Sequence, residues 1–309
     1  YQVGSSNYDF NGYNGPQRLS NTARYTADFT PPDDVWTNDS DTKLLIQNGT
    51  DGSQTFDDLS TGDHTISVTG DVRWIAPKVG AGAIAFDGTG DYLSVANPNN
   101  DFGFGTGDFT VEMWAKFNAA PTTEFGLIAN HDYGVGGWQL TYDGDGDDYF
   151  HLWSSDQTDY DLTGAVTPSA ATWYHYAITR QDDTLRFYID GVQQTSQSFT
   201  EDMTNTAVPL MVGAYADTGA GAMPSSYVDG VRVSKLCRYP DGTTFTPSTT
   251  AFTDDINTAL ILNADINQGA WAEDQSTGLA ISTDSRMKFD GTGDYLSVPD
   301  SSDWDLGST

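Results

Sequence analysis

Hydrophobic and polar residues alternate along this chain with a period of two. Over residues 109–117, Phe109, Val111, Met113, Ala115 and Phe117 face one way, while Thr110, Glu112, Trp114 and Lys116 face the other. Leu185, Phe187 and Ile189 alternate with Arg186, Tyr188 and Asp190, and Asp190-Gly191 then reads as a tight hairpin turn before Val192. Asp182-Asp183 reads as a second turn after a strand over residues 173–180, and residues 228–233 alternate in the same way. Successive side chains of a strand point to opposite faces, so this period predicts strands with one face buried. No segment shows helical spacing. Many short strands separated by Asp/Gly turns predict an all-β fold, an antiparallel jelly-roll β-sandwich.

Repetition is the second regularity. The decapeptide Phe-Asp-Gly-Thr-Gly-Asp-Tyr-Leu-Ser-Val at residues 86–95 returns unchanged at 289–298, an offset of 203 residues. Arg24-Tyr25 and Phe29-Thr30-Pro31 are echoed by Arg238-Tyr239 and Phe245-Thr246-Pro247. Asp41-Thr42-Lys43-Leu44-Leu45 is echoed by Asn257-Thr258-Ala259-Leu260-Ile261, and Asp58, Ser60, Thr61 and Gly62 by Asp274, Ser276, Thr277 and Gly278. The later copy lacks 13 residues between the equivalents of Gly62 and Phe86. The pattern predicts tandem modules of roughly 200 residues. Residues 1–40 are then the C-terminal part of a preceding module, 41–256 a complete one, and 257–309 the N-terminal part of a following one. Either the chain is a window on a longer tandem protein, or neighbouring chains complete the partial ends. The decapeptide itself reads as strand ends around a turn, with glycines for positive φ and aspartates capping amides. A phosphate cradle would need a strand–loop–helix context, which is missing.

Charge narrows the partners. The net charge is −31, and 40 of the 44 acids are aspartates. Such a surface repels phosphate backbones and anionic lipids, which argues against nucleic acid and anionic membranes, and no stretch approaches the length of a membrane span, which argues against membrane insertion. Aspartate with 32 glycines also favours turns over helices. Cys237 stands alone, so no internal disulfide or cysteine metal cluster is possible.

With these segments in view, the chain resembles the laminin-G-like, concanavalin-A-like jelly-roll family. The resemblance rests on Phe86-Asp87-Gly88 with Asp91-Tyr92-Leu93, then residues 107–114, Trp173-Tyr174-His175-Tyr176-Ala177, residues 185–191 and residues 228–234, in the family's order across nearly all of the central module. The flanking Arg-Tyr, Phe-Thr-Pro and Leu-Leu-Ile segments look like tandem copies of this domain in bacteriophage tail fibres and other extracellular surface proteins. The resemblance implies two curved antiparallel sheets, ligands on a concave face or rim, and in many members a rim calcium whose ligands vary.

Because the superfamily includes glycanases, catalysis must be tested. Glycanases need two carboxylates about 5 to 10 Å apart, commonly at alternating strand positions. Glu112 has no second acid at a suitable offset, no Gly-x-Ser-x-Gly occurs, and His64, His131, His151 and His175 lack metal-ligand spacing. His175, inside an aromatic strand, reads as a packed histidine. A non-enzyme is expected.

Binding has better candidates. Residues 131–161 interleave aromatics with aspartates, and aromatic faces stack on sugar rings while acid oxygens accept hydroxyls. Tyr133, Trp138, His151, Trp153 and Tyr160 are the candidate ligand-binding residues, against the alternative that these rings fill the core. Alternation puts Phe150 and Leu152 on the core face and His151 and Trp153 on the other. Trp114 and Trp173 read as core. Asp143, Asp145 and Asp147 resemble the start of a calcium loop, against the alternative of a solvated turn. The expected protein is a structural and adhesive repeat module of a virion appendage or extracellular filament, on a virion or outside a cell. Its expected partners are a glycan or cell-surface ligand and neighbouring copies of itself. Two alternatives stay open: a carbohydrate-binding accessory region of a secreted glycanase, and a filament subunit that exchanges strands between partial modules.

Overall fold

A computed structural model describes residues 2–3, 11–14, 16–29, 36–47, 53–69, 73–75, 78–79, 82–95, 97, 100–132, 136–146, 148–154, 158–164, 166–204, 208–215, 220–240, 242, 244–263, 280–283, 286–290 and 295–297. The strands are β1 (Gln2–Val3), β2 (Asn11–Asn14), β3 (Gln17–Ser20), β4 (Thr42–Ile46), β5 (Ser67–Thr69), β6 (Arg73–Ile75), β7 (Gly82–Phe86), β8 (Leu93–Val95), β9 (Phe109–Phe117), β10 (Phe125–Asp132) and β11 (Gly136–Asp143). They continue as β12 (Tyr149–Trp153), β13 (Asp159–Asp161), β14 (Trp173–Gln181), β15 (Thr184–Ile189), β16 (Val192–Ser198), β17 (Leu210–Val212), β18 (Ser226–Ser234), β19 (Thr258–Leu262), β20 (Ala280–Thr283), β21 (Arg286–Asp290) and β22 (Tyr295–Ser297). Among the described residues there is no helix. Contacts divide the chain into two compact units, Tyr1–Pro77 with Ser282–Thr309, and Lys78–Ile281.

The second unit is a sandwich of antiparallel sheets. One runs β16–β15–β14–β9–β18–β7, with β19 also paired to β18; the other runs β13–β12–β11–β10–β17–β8. Phe109, Val111, Met113, Phe117, Ile178 and Phe187 of the first sheet meet Leu127, Leu140, Phe150, Leu152 and Val212 of the second in one buried cluster. Each such side chain contributes roughly 1.5–3 kcal/mol by leaving water. The decapeptide forms the turn its sequence suggests: Asp91 accepts the Asp87 amide at 2.7 Å, Asp87 accepts that of Thr89 at 2.7 Å, and Gly88 and Gly90 have φ of 93° and 78°.

The outer face of the first sheet is sealed by a strap whose described residues are 236–240, 242 and 244–256. Thr110 donates to the Leu236 carbonyl at 2.8 Å, Trp114 Nε1 to the Ser248 carbonyl at 3.3 Å, and Tyr188 to the Tyr239 carbonyl at 3.3 Å. Where the strap crosses the β15–β16 hairpin, the Phe245 amide donates to the Gly191 carbonyl at 3.0 Å. Gly191 has φ +75°, and a Cβ there would lie 1.8 Å from the Phe245 carbonyl oxygen. Trp114 is therefore buried beneath the strap and not, as alternation with a core reading suggested, between the sheets. Glu112 is the anchor. It is 1% exposed and accepts His175 Nε2 at 3.1 Å, Arg232 Nε at 2.8 Å and Tyr239 OH at 2.7 Å. Burial pushes its carboxyl up, but these donors outweigh burial and hold it below the ordinary glutamate value. His175 is thus the packed histidine expected, fully buried against an acid.

The junction between strap and following strand occurs twice. In β18–β19, Val231, Arg232, Val233 and Ser234 face Leu262, Ile261, Leu260 and Thr258, with a bulge before Ser234. In β3–β4, Gln17, Arg18, Leu19 and Ser20 face Ile46, Leu45, Leu44 and Thr42, with a bulge before Ser20. Arg238 donates to Ser234 at 2.7 Å, to both oxygens of Asp255 at 2.9 and 3.1 Å, and to Thr258 at 3.2 Å. Arg24 does the same with Ser20 at 2.5 Å, Asp39 at 2.8 and 2.5 Å, and Thr42 at 3.0 Å. Tyr239 stacks on Phe245 at 3.6 Å, and Tyr25 on Phe29 at 3.7 Å. An amide closes each junction, Asn263 on the backbone of Phe252 and Gln47 on that of Trp36. A strand just past each expected boundary, β4 or β19, thus pairs with one before it, so compact units and sequence repeats divide the chain at different places.

Candidate functional site

The β11–β12 hairpin builds one face. Asp143 accepts the Asp145 amide at 2.9 Å, a local turn that sets Asp143 opposite Tyr149. That register places Gln139 opposite Trp153 and Thr141 opposite His151, while Leu140–Leu152 and Tyr142–Phe150 point to the core. On the far side β13 sets Asp159 opposite Trp153 and Asp161 opposite His151. The outer face of this sheet therefore gathers an amide, a hydroxyl, an imidazole, an indole, a phenol and several acids.

His151 sits at its centre. Its ring lies 5.2 Å from Tyr149 and 5.7 Å from Trp153, both edge-on, and its Nδ1 is 2.9 Å from Asp159 Oδ1. With the proton on Nδ1 toward Asp159, Nε2 is an acceptor, and it has no partner among the described protein groups. The same holds for Gln139 Oε1, Thr141 Oγ1 and Trp153 Nε1. Gln139, Thr141 and His151 are 6%, 0% and 3% exposed. A buried polar atom left unpaired costs about 1–3 kcal/mol. Four such atoms lie on one sheet face, around the half-buried Tyr149 and Trp153 rings. Glu124 borders it. Burial pushes its carboxyl above the ordinary value, His151 opposes this, and the charges of Asp143, Asp145 and Asp159 add to it.

A family model for the concanavalin A-like lectin/glucanases superfamily matches residues 87–241, half of the chain. This chain belongs to the concanavalin A-like lectin/glucanases superfamily. A search of curated proteins found no match. Solved structures of similar shape include a candidate carbohydrate binding protein from Bacteroides ovatus, 16% identical over 72% of this chain and 61% of that one, TM-score 0.45. Another is domain 4 of an extracellular GH43 arabinanase from Geobacillus stearothermophilus, solved with arabinotriose: 18% identity, 59% and 86% coverage, TM-score 0.39. A third is a heptameric SAP-like pentraxin from Limulus polyphemus: 12% identity, 66% and 95% coverage, TM-score 0.44. The chain thus spans under two thirds of the first of these proteins.

In this concanavalin A-like domain the candidate residues separate. His151 and Trp153 share the outer face, as alternation predicts. Trp138 is a correction: it is 1% exposed, its indole donates to the Phe102 carbonyl at 2.9 Å, and its ring packs on Phe104. It alternates with Gln139 and lies on the Leu140 side, so its ring is closed to a ligand. Tyr160 also turns inward, edge-on to Phe199 at 4.9 Å with its hydroxyl on Glu201 at 2.8 Å. Tyr133 and Asp147 lie outside the described residues. Among the described residues no three His, Cys, Asp or Glu side chains converge as a metal site, and Asp143 accepts the Asp145 amide in a local turn. Sequence reasoning passed over Gln139, Thr141, Asp159 and Glu124. The first two were legible: alternation along β11 opposes them to Trp138, Leu140 and Tyr142.

Proposed function

We propose that this protein is a non-enzymatic binding and structural module, repeated in tandem in a longer extracellular or virion-surface protein. Its ligand is a glycan held on the outer face of β11–β13. One observation carries the reading: the half-buried Tyr149 and Trp153 rings flank His151 on one sheet face, bordered by the exposed Asp159 and Asp161. Sugars present the matching chemistry, ring hydroxyls that donate and accept, and apolar ring faces. The superfamily's name covers lectins and glucanases alike, and binding is favoured because Glu112, the strand acid, is sealed under the strap by three donors. The duplicated junction supports tandem modules of the 41–256 kind. The high negative charge suits a surface protein that avoids nucleic acid, and no helix among the described residues is long and apolar enough to cross a membrane.

A glycan array, run with and without a calcium chelator, tests this. Binding is expected, with Trp153→Ala weakening it about tenfold or more while circular dichroism stays unchanged. No binding under either condition leaves a scaffold alone. Chelator sensitivity would bring calcium, through the 143–148 turn, into the reading. The accessory region of a secreted glycanase predicts a catalytic domain elsewhere in the native chain, which its intact mass and peptide map would reveal.

A further inference from the structure

Charge on the face built by β11–β13 is one-sided. Between Lys116 and Arg180 the sequence holds nine acids and no lysine or arginine. Strand register sorts these acids. Phe125 stands opposite Tyr142 and both point to the core, so Glu124 and Asp143 fall side by side on the outer face, in one row with Tyr149. The next row holds Thr141, His151 and Asp161, and the one after it Gln139, Trp153 and Asp159. The half-buried Tyr149 and Trp153 rings thus lie along β12, with Glu124 and Asp143 on one flank and Asp159 and Asp161 on the other.

Glu124, Asp145, Asp159 and Asp161 are exposed. Like charges already press on one another here: burial raises the Glu124 carboxyl most, and Asp143, Asp145 and Asp159 add to this against His151. Two acceptors on the same face have no partner among the described groups: Gln139 Oε1, and His151 Nε2 when the ring proton is on Nδ1 toward Asp159. Their side chains are 6% and 3% exposed. Among the described residues no three of the carboxylates converge as a metal site. The charge is instead spread along the hairpin, which suits several cations carried on one chain better than a single metal ion. Protonated amines match this face in each respect. They only donate hydrogen bonds, they relieve the repulsion between the acids, and they are attracted to the faces of aromatic rings.

We propose that this face selects glycans that carry free amino groups, oligomers of a deacetylated amino sugar such as glucosamine, over neutral and acidic ones. The sugar rings stack on Tyr149 and Trp153, and the ammonium groups lie toward the carboxylates on either flank. This deepens, and rests on, the glycan reading of the same face.

Isothermal titration calorimetry of the full chain in mildly acidic, low-salt buffer tests it. The probes are hexamers of glucosamine, of N-acetylglucosamine and of galacturonic acid. The glucosamine hexamer is expected to bind about fivefold or more tightly than its acetylated counterpart, and the acidic one not at all. Salt near about 1 M should remove the preference. Glu124→Gln combined with Asp161→Asn, both at exposed positions, should narrow it, and Trp153→Ala should weaken the glucosamine hexamer about tenfold. Equal affinity for the amine and acetyl forms overturns the inference and leaves the glycan reading standing. A lysine hexamer that binds as tightly as the amino sugar and is indifferent to Trp153→Ala also overturns it, since the face would then read charge alone. Binding of no sugar, here or on the glycan array, defeats the glycan reading itself.

Discussion

The two straps are nearly the same object in two settings. Each has an arginine clamped between a serine, a threonine and a bidentate aspartate, each has a stacked Tyr–Phe pair, and each follows a bulged strand pair in the same register. They differ in what lies beneath. Tyr239 and Phe245 rest on Tyr188 and His175 and are half-buried, whereas Tyr25 and Phe29 stand exposed. The lesson is that a strap's internal geometry is set by its own short sequence, while its energetic weight comes from the sheet it covers. Substitutions that touch the sheet should therefore separate the straps, and those confined to the clamp should affect both alike.

The widest separation is expected at Glu112. Glu112→Ala leaves Arg232, His175 and Tyr239 without their acceptor, and breaking a buried pair in this way costs about 3–5 kcal/mol. Arg18→Ala, with no carboxylate to lose, should stay within about 0.5 kcal/mol. Urea unfolding of both variants, followed by tryptophan fluorescence, measures the gap. Equal costs would mean that the N-terminal strap has a buried acid of its own.

Gly191→Ala comes next. A Cβ there meets the Phe245 carbonyl at 1.8 Å and the backbone has φ +75°, so both the turn and the strap must move. A loss of about 1–3 kcal/mol is expected. Removing Phe245 as well should make the two costs less than additive, since the strap that clashes is already loosened. Smaller again, Phe245→Ala should cost about 2 kcal/mol, less than the 3–5 of a fully buried ring. Phe29→Ala should be neutral within about 0.5 kcal/mol in the isolated chain, and the pair of melting curves checks both.

These contrasts also mark what the sequence could reveal. Alternation was enough for the sandwich, for the Asp190-Gly191 turn and for the sidedness of His151 and Trp153, because strand period and turn chemistry are local. The strap was not legible. Glu112 meets partners 120 and 127 residues away, and no local period marks a polar strand position that a distant segment will cover. Trp114 was misplaced for the same reason: its outward alternation was correct, but burial could come from a strap as well as from a second sheet. At the candidate site the aromatics drew attention away from Gln139 and Thr141, whose importance depends on the hairpin register that pairs them with Trp153 and His151.

The smallest expected difference lies in acid, where the clamps should behave alike and their consequences should not. Arg238 holds the Asp255 carboxyl down at about 2, and Arg24 holds that of Asp39 well below the usual carboxylate range. A carboxyl whose folded value is depressed contributes stability above its unfolded value, near 3.9, and loses it as pH falls through the folded one. The Asp255 clamp should thus release between about pH 4 and pH 2, and the Asp39 clamp over a range that extends further into acid. Each pair is exposed and screened by salt, so the direct effect is small. Release at Asp255 nonetheless loosens a strap that covers Trp114, while release at Asp39 loosens one whose Tyr25 and Phe29 are exposed. Asp255→Asn should lower the melting temperature slightly at pH 7 and flatten its fall between pH 4 and 2, with Trp114 emission shifting to the red. Asp39→Asn should leave both the melting temperature and its pH profile unchanged. A matching response in the two variants would show that the N-terminal strap bears the same weight, and would remove the contrast between the two straps.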